Sequence, residues 1–247
     1  RAPVIPPEFD YVAVDKLEEA LSALRDEDAK VLAGGHSLLP LMKLRLAAPA
    51  KLVDIRKVPG LRGAQRENGQ WKIGALTRHA DLQGNAELGA LGKATALIAD
   101  QQVRNRGTIG GSLAHGDPAS DLPTVMLACE GSVTVAGDGG TREIAAADLF
   151  QDYLTTAVAD GEVLTEVRVP DFDGWGSSYI KFTRRAEDWA MVAVCAMVKK
   201  AGDGSFEDVR IALTNMGSTP LRASAAEDAL RGKGADAIAA AAEQAAE

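Results

Sequence analysis

The chain has 247 residues, of which 46% are hydrophobic and 25% charged, and its formal net charge is -8. This length accommodates two or three small domains, each with a core of its own. The negative charge argues against nucleic acid or an anionic membrane as a partner, because both carry negative charges that such a surface repels. No uninterrupted apolar run approaches the length needed to span a bilayer, and the first residues lack the apolar core of a signal peptide.

Residues 1–57 predict a small α/β unit. Its apolar segments alternate between strand and helix periodicity, which predicts strands over 9–14, 29–33 and 51–55 and helices over 16–25 and 38–46. Pro59 marks a plausible end of this βαβαβ-like unit.

A glycine pair follows the second of these strands. The stretch 31–42 (VLAGGHSLLPLM) runs from a strand through Gly34-Gly35 and His36-Ser37 into a helix. That arrangement presents unpaired N–H groups and the positive end of a helix dipole to an anion. It matches neither the Rossmann nor the P-loop glycine motif. The stretch therefore predicts a phosphate-binding turn of another kind.

Residues 58–172 predict a middle unit built mainly from short strands. Asn68-Gly69 is a hairpin signal between two of them. Alternating patterns predict strands over 61–66, 70–73, 132–137, 141–144 and 163–169, with helices over 80–86, 88–98 and 122–128.

A second glycine pair lies inside this unit, in the stretch 108–123 (TIGGSLAHGDPASDLP). Its glycines, prolines and aspartates predict a long polar loop, in which Gly110 and Gly111 expose their backbone and Asp121 caps the next helix. A purely structural loop is the alternative reading. The two glycine pairs stand about 75 positions apart. Together they could clasp one ligand with two phosphates, and a dinucleotide fits that description.

Residues 173–247 predict a third unit. A Gly- and Asp-rich linker over 171–176 leads into strands over 178–184, 191–199 and 209–213, and an alanine-rich helical segment covers 221–246.

Cysteine and histidine usage restricts the chemistry of the chain. Cys129 and Cys195 lie in apolar segments and are expected to be buried thiols in a reducing compartment, which favours the cytoplasm. Two cysteines are too few for an iron–sulfur cluster, and the three histidines have no metal-ligand spacing. Redox chemistry on this chain would need an organic cofactor.

Several stretches resemble a known family: AGGHSLLPLMKLRLAAPAKLVDI, RNRGTIGGSLAHGDPASDLP, GEVLTEVRVP and YIKFTRRAEDWAMVAV. Together they are similar to the FAD-binding medium subunit of molybdenum-containing hydroxylases, the group of carbon monoxide dehydrogenase and xanthine dehydrogenase. The resemblance covers almost the whole chain in the same order. Chains of that family usually continue some tens of residues further.

The resemblance implies an α+β fold. Two α/β subdomains form an FAD-binding fold of the vanillyl-alcohol-oxidase type, and a C-terminal three-stranded sheet with helices follows. It also implies partners: a small subunit with [2Fe–2S] clusters and a large subunit with the molybdenum cofactor, in a dimer of heterotrimers. Electrons would pass from the clusters to FAD and on to an external acceptor.

The resemblance further implies which residues bind FAD. Ala33 to Leu38 would surround the pyrophosphate and ribose, and Asp121 would accept hydrogen bonds from ribityl hydroxyls. Leu164 would lie on the flavin ring, and Lys181 would approach its pyrimidine edge. The expected cofactor-binding residues are Ala33, Gly34, Gly35, His36, Ser37, Leu38, Thr108, Ile109, Gly110, Gly111, Ser112, His115, Asp121, Leu164 and Lys181.

Simpler roles exist for four of these residues. Leu164 lies in an alternating strand and could belong only to the core, and Lys181 could be an exposed strand lysine. His115 could serve only in a turn, and Asp121 could be solely a helix cap. Nearby, Arg184 and Arg185 with Glu187 and Asp188 are expected to form a salt-bridged surface or a subunit contact.

Two other functions remain open at this point. One is a self-contained FAD-dependent oxidoreductase, which is disfavoured because no acid–base pair stands beside the glycine stretches. The other is a nucleotide-binding or assembly subunit without catalysis. Identifying the chromophore released from the purified protein separates the non-catalytic subunit from the two flavin-dependent functions, the electron-transfer subunit and the self-contained oxidoreductase.

Overall fold

The computed structural model of the chain describes residues 5–245. Within that part, the strands form a three-stranded, a five-stranded and a four-stranded sheet and one two-stranded ribbon. No helix in the range 5–245 is long and apolar enough to cross a membrane.

The N-terminal unit is a parallel three-stranded sheet with two helices. Its sheet has the order β1-β3-β2, so both neighbouring pairs are parallel and each connection carries a helix. One face of α1 buries Ala20 against Val53, as the helical periodicity predicts. The elements are β1 (Asp10–Ala13), α1 (Leu17–Ala23), β2 (Ala29–Leu32), α2 (Leu38–Lys43) and β3 (Lys51–Asp54).

The middle unit is built on an antiparallel five-stranded sheet of order β4-β5-β10-β6-β7. The predicted hairpin at Asn68-Gly69 is confirmed, because both residues adopt positive φ angles (52° and 77°) between two paired strands. The strands of this sheet are β4 (Ala64–Glu67), β5 (Gln70–Gly74), β6 (Ser132–Gly137), β7 (Gly140–Ala145) and β10 (Val163–Pro170).

Short helices cover one face of this sheet. Ile109, Leu113, Leu122 and Met126 are fully buried there and share one core with Val133 and Val167 of the sheet. The helices of this layer are α3 (His79–Leu82), α4 (Ala90–Thr95), α5 (Gln101–Arg104), α6 (Ile109–His115), α7 (Asp121–Ala128) and α8 (Ala146–Leu149), with a short 3-10 helix at Ala86–Leu88.

The predicted long loop over 108–123 is wrong, because α6 occupies its first half. The Thr108 side chain accepts a hydrogen bond from the Gly111 N–H (3.2 Å) and so caps the helix, and Gly116 ends it with φ of 64°. Asp121 is likewise not the cap of α7; Ser120 holds that position and Asp121 is the first helical residue.

The C-terminal unit is an antiparallel sheet of order β11-β12-β13-β14 with two helices. Three strands are long, and β14 adds two residues at one edge. The sequence missed β14 and, before this unit, the ribbon formed by β8 (Phe150–Asp152) and β9 (Thr155–Thr156). The elements are β11 (Trp175–Phe182), β12 (Val192–Lys200), β13 (Phe206–Thr214), β14 (Leu221–Arg222), α9 (Ser224–Leu230) and α10 (Ile238–Gln244), with a 3-10 helix at Ala235–Ala237.

Candidate functional site

A cleft of about 690 Å³ has walls from all three units. The N-terminal unit contributes β2 and the turn after it, and the middle unit contributes α6, the start of α7 and the stretch 156–162. From the C-terminal unit come Lys181 of β11 and the stretch 187–189. A volume of this size is typical of a cofactor or small-ligand site.

The first glycine segment, residues 33–38, forms the turn between β2 and α2. Gly35 has a φ of 77°, which favours glycine, and Ser37 occupies the N-cap position of α2 without a side-chain capping bond. Within residues 5–245, none of the six backbone N–H groups from Ala33 to Leu38 has a hydrogen-bond acceptor. All six residues line the cleft. Six consecutive donors without an internal partner are suited to an anion.

The geometry of this turn depends on a close contact with the middle unit. A Cβ on Gly34 would collide with the Arg106 carbonyl and lie 2.9 Å from the Gly107 Cα. The His36 ring lies over its own turn, with Nδ1 3.0 Å from the Gly34 carbonyl oxygen. Gly34 is therefore required for the approach of two backbone segments to each other.

The second glycine segment, residues 107–112, uses most of its donors internally. The N–H groups of Ile109 and Gly110 donate to the carbonyls of Thr77 (3.0 Å) and Ala75 (2.9 Å). Those of Gly111 and Ser112 donate to the Thr108 side chain and carbonyl. This segment thus offers the cleft a rigid wall rather than a row of free donors.

The cleft brings together most of the expected cofactor-binding residues. Those that line it are Ala33, Gly34, Gly35, His36, Ser37, Leu38, Thr108, Gly111, Ser112, His115, Asp121 and Lys181. Ile109, Gly110 and Leu164 do not reach its wall. Ile109 and Leu164 lie in the core of the middle unit, and a Cβ on Gly110 would lie 2.5 Å from the Ala75 Cβ. For Gly110, the missing side chain thus serves helix–sheet packing.

A buried polar network closes the end of the cleft beside the C-terminal unit. Lys181 Nζ donates to Asp121 Oδ2 (3.0 Å) and to the Leu97 carbonyl (3.1 Å), and the Tyr179 hydroxyl donates to Asp121 Oδ1 (2.7 Å). Tyr179 also meets Thr214, whose hydroxyl donates to Thr124 (2.7 Å). The Lys181 side chain is thus only 6% exposed and has fixed partners, so it is not an exposed strand lysine.

Burial sets the ionisation of this network. It raises the pKa of Asp121, and the Lys181 ammonium and the Tyr179 hydroxyl offset part of that rise. Burial beside Asp121 also raises the pKa of Tyr179. The network therefore keeps the Tyr179 hydroxyl protonated and holds an ammonium group at the cleft wall.

An exposed tryptophan stands at the cleft mouth. Trp189 belongs to the turn between β11 and β12, and its Nε1 donates to Asp117 Oδ2 (3.0 Å) across from α6. The sequence signal for it was the position of Trp189 in the polar AEDWA turn, where a large apolar ring lies outside the predicted strands. The ion pairs expected around Trp189 are not formed: Arg184, Arg185, Glu187 and Asp188 make no salt bridge within the described residues.

His79 is a cleft residue that the sequence analysis missed. It is 4% exposed, and its Nδ1 has no hydrogen-bond partner within residues 5–245. Burial, together with the nearby charges of Arg104 and His36, lowers the pKa of His79 to about 4. Burial also lowers the pKa of His115. His79 is therefore neutral at physiological pH. The residues before it, Thr77 and Arg78, form no motif that would have indicated a site.

The cysteines are buried as predicted. Cys129 and Cys195 are free thiols in the core, and burial raises the pKa of Cys195 to about 12. Among residues 5–245, no group of three or more His, Cys, Asp or Glu side chains stands close enough together to hold a metal ion.

Comparisons with known proteins cover the whole architecture. Residues 7–172 match the model of the FAD binding domain in molybdopterin dehydrogenase, and residues 177–247 match the CO dehydrogenase flavoprotein C-terminal domain. The chain is 44% identical to the carbon monoxide dehydrogenase medium chain of Hydrogenophaga pseudoflava, a match covering 93% of this chain and 82% of that one.

A second relative and a solved structure agree with this match. The chain is 42% identical to subunit alpha of the 6-hydroxypseudooxynicotine dehydrogenase complex of Paenarthrobacter nicotinovorans, over 91% of this chain and 78% of that one. The structure is similar to that of a Hydrogenophaga pseudoflava carbon monoxide dehydrogenase lacking the Mo-pyranopterin moiety of its cofactor. That match has a TM-score of 0.92 and 45% identity, and it covers 97% of this chain and 86% of the other.

Proposed function

The chain belongs to the FAD-binding flavoprotein subunits of the molybdopterin dehydrogenases, and from this premise we propose how its cleft holds FAD and which complex it serves. It is an oxidoreductase subunit whose role is electron transfer. FAD held by this chain would accept electrons from the [2Fe–2S] clusters of a partner chain and pass them to an external acceptor.

The first glycine segment holds the pyrophosphate of FAD in this proposal. The observation that carries it is the row of six N–H groups from Ala33 to Leu38, which belong to cleft-lining residues and have no acceptor within residues 5–245. A diphosphate needs several donors at once, and backbone N–H groups at a helix start supply them together with the helix dipole. The glycines let the phosphate oxygens approach the chain.

The second segment supports the cofactor in a different way. Thr108, Gly111 and Ser112 line the cleft while their backbone is tied to the middle sheet, so they offer a firm surface and the Ser112 hydroxyl. Gly111 has no side chain to project from this wall, and a Cβ there would lie 2.8 Å from the Thr108 Oγ1. Ribityl and phosphate atoms can then lie close to α6.

Lys181 would stand beside the flavin ring in this proposal. Asp121 and Tyr179 hold the Lys181 ammonium in place, and a fixed cation near the ring favours its reduced, anionic form. Trp189 and its bond to Asp117 cover the same end of the cleft, which limits access of water. These residues orient and shield the ring, and none of them needs to exchange a proton with a substrate.

The complex we propose contains two further kinds of chain. An iron–sulfur chain delivers electrons and a molybdenum chain oxidises the substrate, in a dimer of heterotrimers located in the cytoplasm. Relatives named as medium chains or subunits of dehydrogenase complexes support such a division of labour. The substrate class is set on the molybdenum chain, with carbon monoxide, aldehydes, purines and N-heterocycles as candidates.

Two measurements on purified protein test this proposal. Acid or heat should release FAD, in a ratio of about one per chain, into the supernatant, because the cleft holds it without a covalent bond. Yellow colour that stays with the precipitate would contradict non-covalent binding, and a released nucleotide other than FAD would contradict the cofactor assignment.

The second measurement separates an electron-transfer subunit from a self-contained enzyme. The isolated, FAD-loaded chain should be reduced by dithionite and reoxidised by a dye, yet show no reduction by any hydroxylase substrate. Co-purification from the source should recover two more chains, one with [2Fe–2S] absorbance. A single chain that reduces its own flavin with substrate would replace this proposal.

A further inference from the structure

A second cavity of about 420 Å³ lies next to the FAD cleft. The two share Ala33 and Thr108 as wall residues, so the second cavity lies behind the first glycine segment. It opens where the parallel strands β1 and β3 end, beside Ala13 and Asp54. The carboxyl ends of parallel strands are a common place for ligands, because the backbone diverges there into loops.

The walls of this cavity carry an excess of positive charge. Among residues 5–245, five cationic side chains line it, against a single carboxylate from Asp54; the five are Arg56, Lys57, Arg62, Arg78 and Arg106. This contrasts with a chain whose net charge is -8. Like charges gathered around one cavity repel each other, and a bound anion relieves that repulsion.

The Asp54 carboxylate does not neutralise the other four cations, because it is already bonded to Arg56 and Tyr11. Asp54 is 4% exposed and holds Arg56 through a fork, with Nε 2.9 Å from Oδ1 and Nη2 2.5 Å from Oδ2. The Tyr11 hydroxyl donates to the same carboxylate (2.5 Å). Burial alone would raise the pKa of Asp54, but the Arg56 and Tyr11 bonds lower it to about 2. Tyr11 and Arg56 are therefore fixed parts of the wall.

The other four cations have no such partner. Within residues 5–245, Lys57, Arg62, Arg78 and Arg106 make no salt bridge, and their side chains donate no hydrogen bond. Arg66, on the strand β4 that follows Arg62 in the chain, is by contrast paired with both Asp171 and Asp173. The four cations without a partner thus lie together around one cavity.

We propose that this cavity binds a small molecule bearing a diphosphate group, as a site separate from the FAD cleft. Three of the four unpaired cations are arginines, whose planar guanidinium groups match phosphate oxygens in pairs. The concave shape and the volume suit a small ligand, whereas a partner protein would meet a broad, flatter surface. The half-exposed Tyr11 ring gives such a ligand an apolar wall beside the charges.

Calorimetric titration of the FAD-loaded chain with inorganic pyrophosphate tests this proposal. The FAD cleft is then filled, so heat reports on the second cavity. We expect saturable binding of one pyrophosphate per chain. Arg62→Gln and Arg106→Gln should each weaken it about tenfold or more, because each removes a charge-assisted hydrogen bond. Arg66→Gln removes the same charge next to the cavity and should leave the affinity within about twofold.

Two outcomes would overturn the proposal. One is the absence of saturable heat with pyrophosphate at constant ionic strength. The other is an equal loss of affinity in all three variants, which would indicate only a response to net charge. The flavin absorbance of each variant serves as the folding check. A wild-type chain that fails to retain FAD would contradict the proposed FAD cleft and would not bear on the second cavity. A variant that retains its full FAD content but no longer binds pyrophosphate supports the second site.

Discussion

The two glycine segments lie on one cleft and look alike in sequence, yet the structure uses them differently. Gly34-Gly35 is followed by His36-Ser37, and Gly110-Gly111 by Ser112. In the described part of the chain the backbone donors of residues 33–38 have no acceptor, whereas residues 109–112 give theirs to Thr77, Ala75 and Thr108. The first segment leaves its donors available to a ligand, and the second is a structural wall. A glycine pair therefore does not identify a phosphate site until the destination of its N–H groups is known.

The largest expected difference comes from replacing a glycine in each segment. Gly110→Val should destabilise the FAD-free chain by about 3 kcal/mol, because its side chain would be forced against Ala75 and separate α6 from the sheet. Gly35→Val should cost about 1–2 kcal/mol through its positive φ. Thermal unfolding of the two FAD-free variants measures this difference.

FAD content completes this comparison. Gly35→Val should remain folded but fail to retain FAD, since the turn that aligns the donors is distorted. Gly110→Val should lose FAD only together with its fold. A Gly110→Val protein with wild-type stability and no FAD would show that the second segment is itself a phosphate cradle.

Acid should weaken the second segment through His79. Its backbone N–H donates to the Gly107 carbonyl, and a Cβ on Gly107 would lie 2.7 Å from its ring. The pKa of His79 is about 4 in the folded chain, below its unfolded value of about 6.5. The unfolded chain therefore binds a proton first as the pH falls. The stability present above pH 6.5 decreases by up to about 3 kcal/mol by pH 4.

Urea unfolding of the FAD-free chain between pH 7 and pH 5 measures this effect. His79→Gln cannot titrate and should show a flatter pH dependence over that range, where most carboxylates stay ionised. Equal slopes for the wild type and the variant would mean that His79 is not the group responsible.

A smaller effect separates the two hydroxyl residues at the helix starts. Thr108→Ala removes the cap of α6 and should lower the stability of the FAD-free chain by about 1 kcal/mol. FAD affinity should change little once the protein is folded. Differential scanning calorimetry checks the first expectation, and a loss of FAD without loss of stability would reverse the role given to Thr108.

Ser37→Ala is the matched change in the first segment and has the smallest effect on the fold. The Ser37 side chain makes no capping bond in α2, so the FAD-free chain should keep its stability. FAD affinity should fall by about 0.5–1.5 kcal/mol, the value of one hydrogen bond to the ligand. Fluorescence titration with FAD measures this fall. Unchanged affinity would remove Ser37 from the binding surface.

Much of the fold follows from sequence patterns. Strand and helix periodicity predicts the three units, and Asn68-Gly69 gives the hairpin directly. The helix α6 was missed because its glycines, histidine and polar neighbours are all typical of loops. The signal for it was present in Ile109 and Leu113, four positions apart and both fully buried, after a Thr cap. In the prediction for this stretch, the turn-forming composition outweighed the short helical spacing of Ile109 and Leu113.

The candidate site was predictable in part. The first segment was identified correctly as a turn between strand and helix, since the strand, the glycines and the helix are contiguous in sequence. Contacts between distant residues left no local pattern. Neither the packing of Gly110 on Ala75 nor the buried pair of Lys181 and Asp121 could be read from neighbours in the chain. Both depend on tertiary packing.

The order in which the cleft forms follows from one backbone contact. The Gly110 N–H donates to the Ala75 carbonyl, and the Ala75 N–H in turn donates to the Thr165 carbonyl at the irregular point of β10. The central strand of the middle sheet, β10, thus comes late in the chain, and α6, which forms the wall of the cleft, is held in place through it. Such non-local pairing is slow, because long stretches of chain must close first. A nascent chain that has not yet released β10 from the ribosome therefore has the first glycine turn without a supported wall opposite it, and we expect cofactor binding to follow the synthesis of β10.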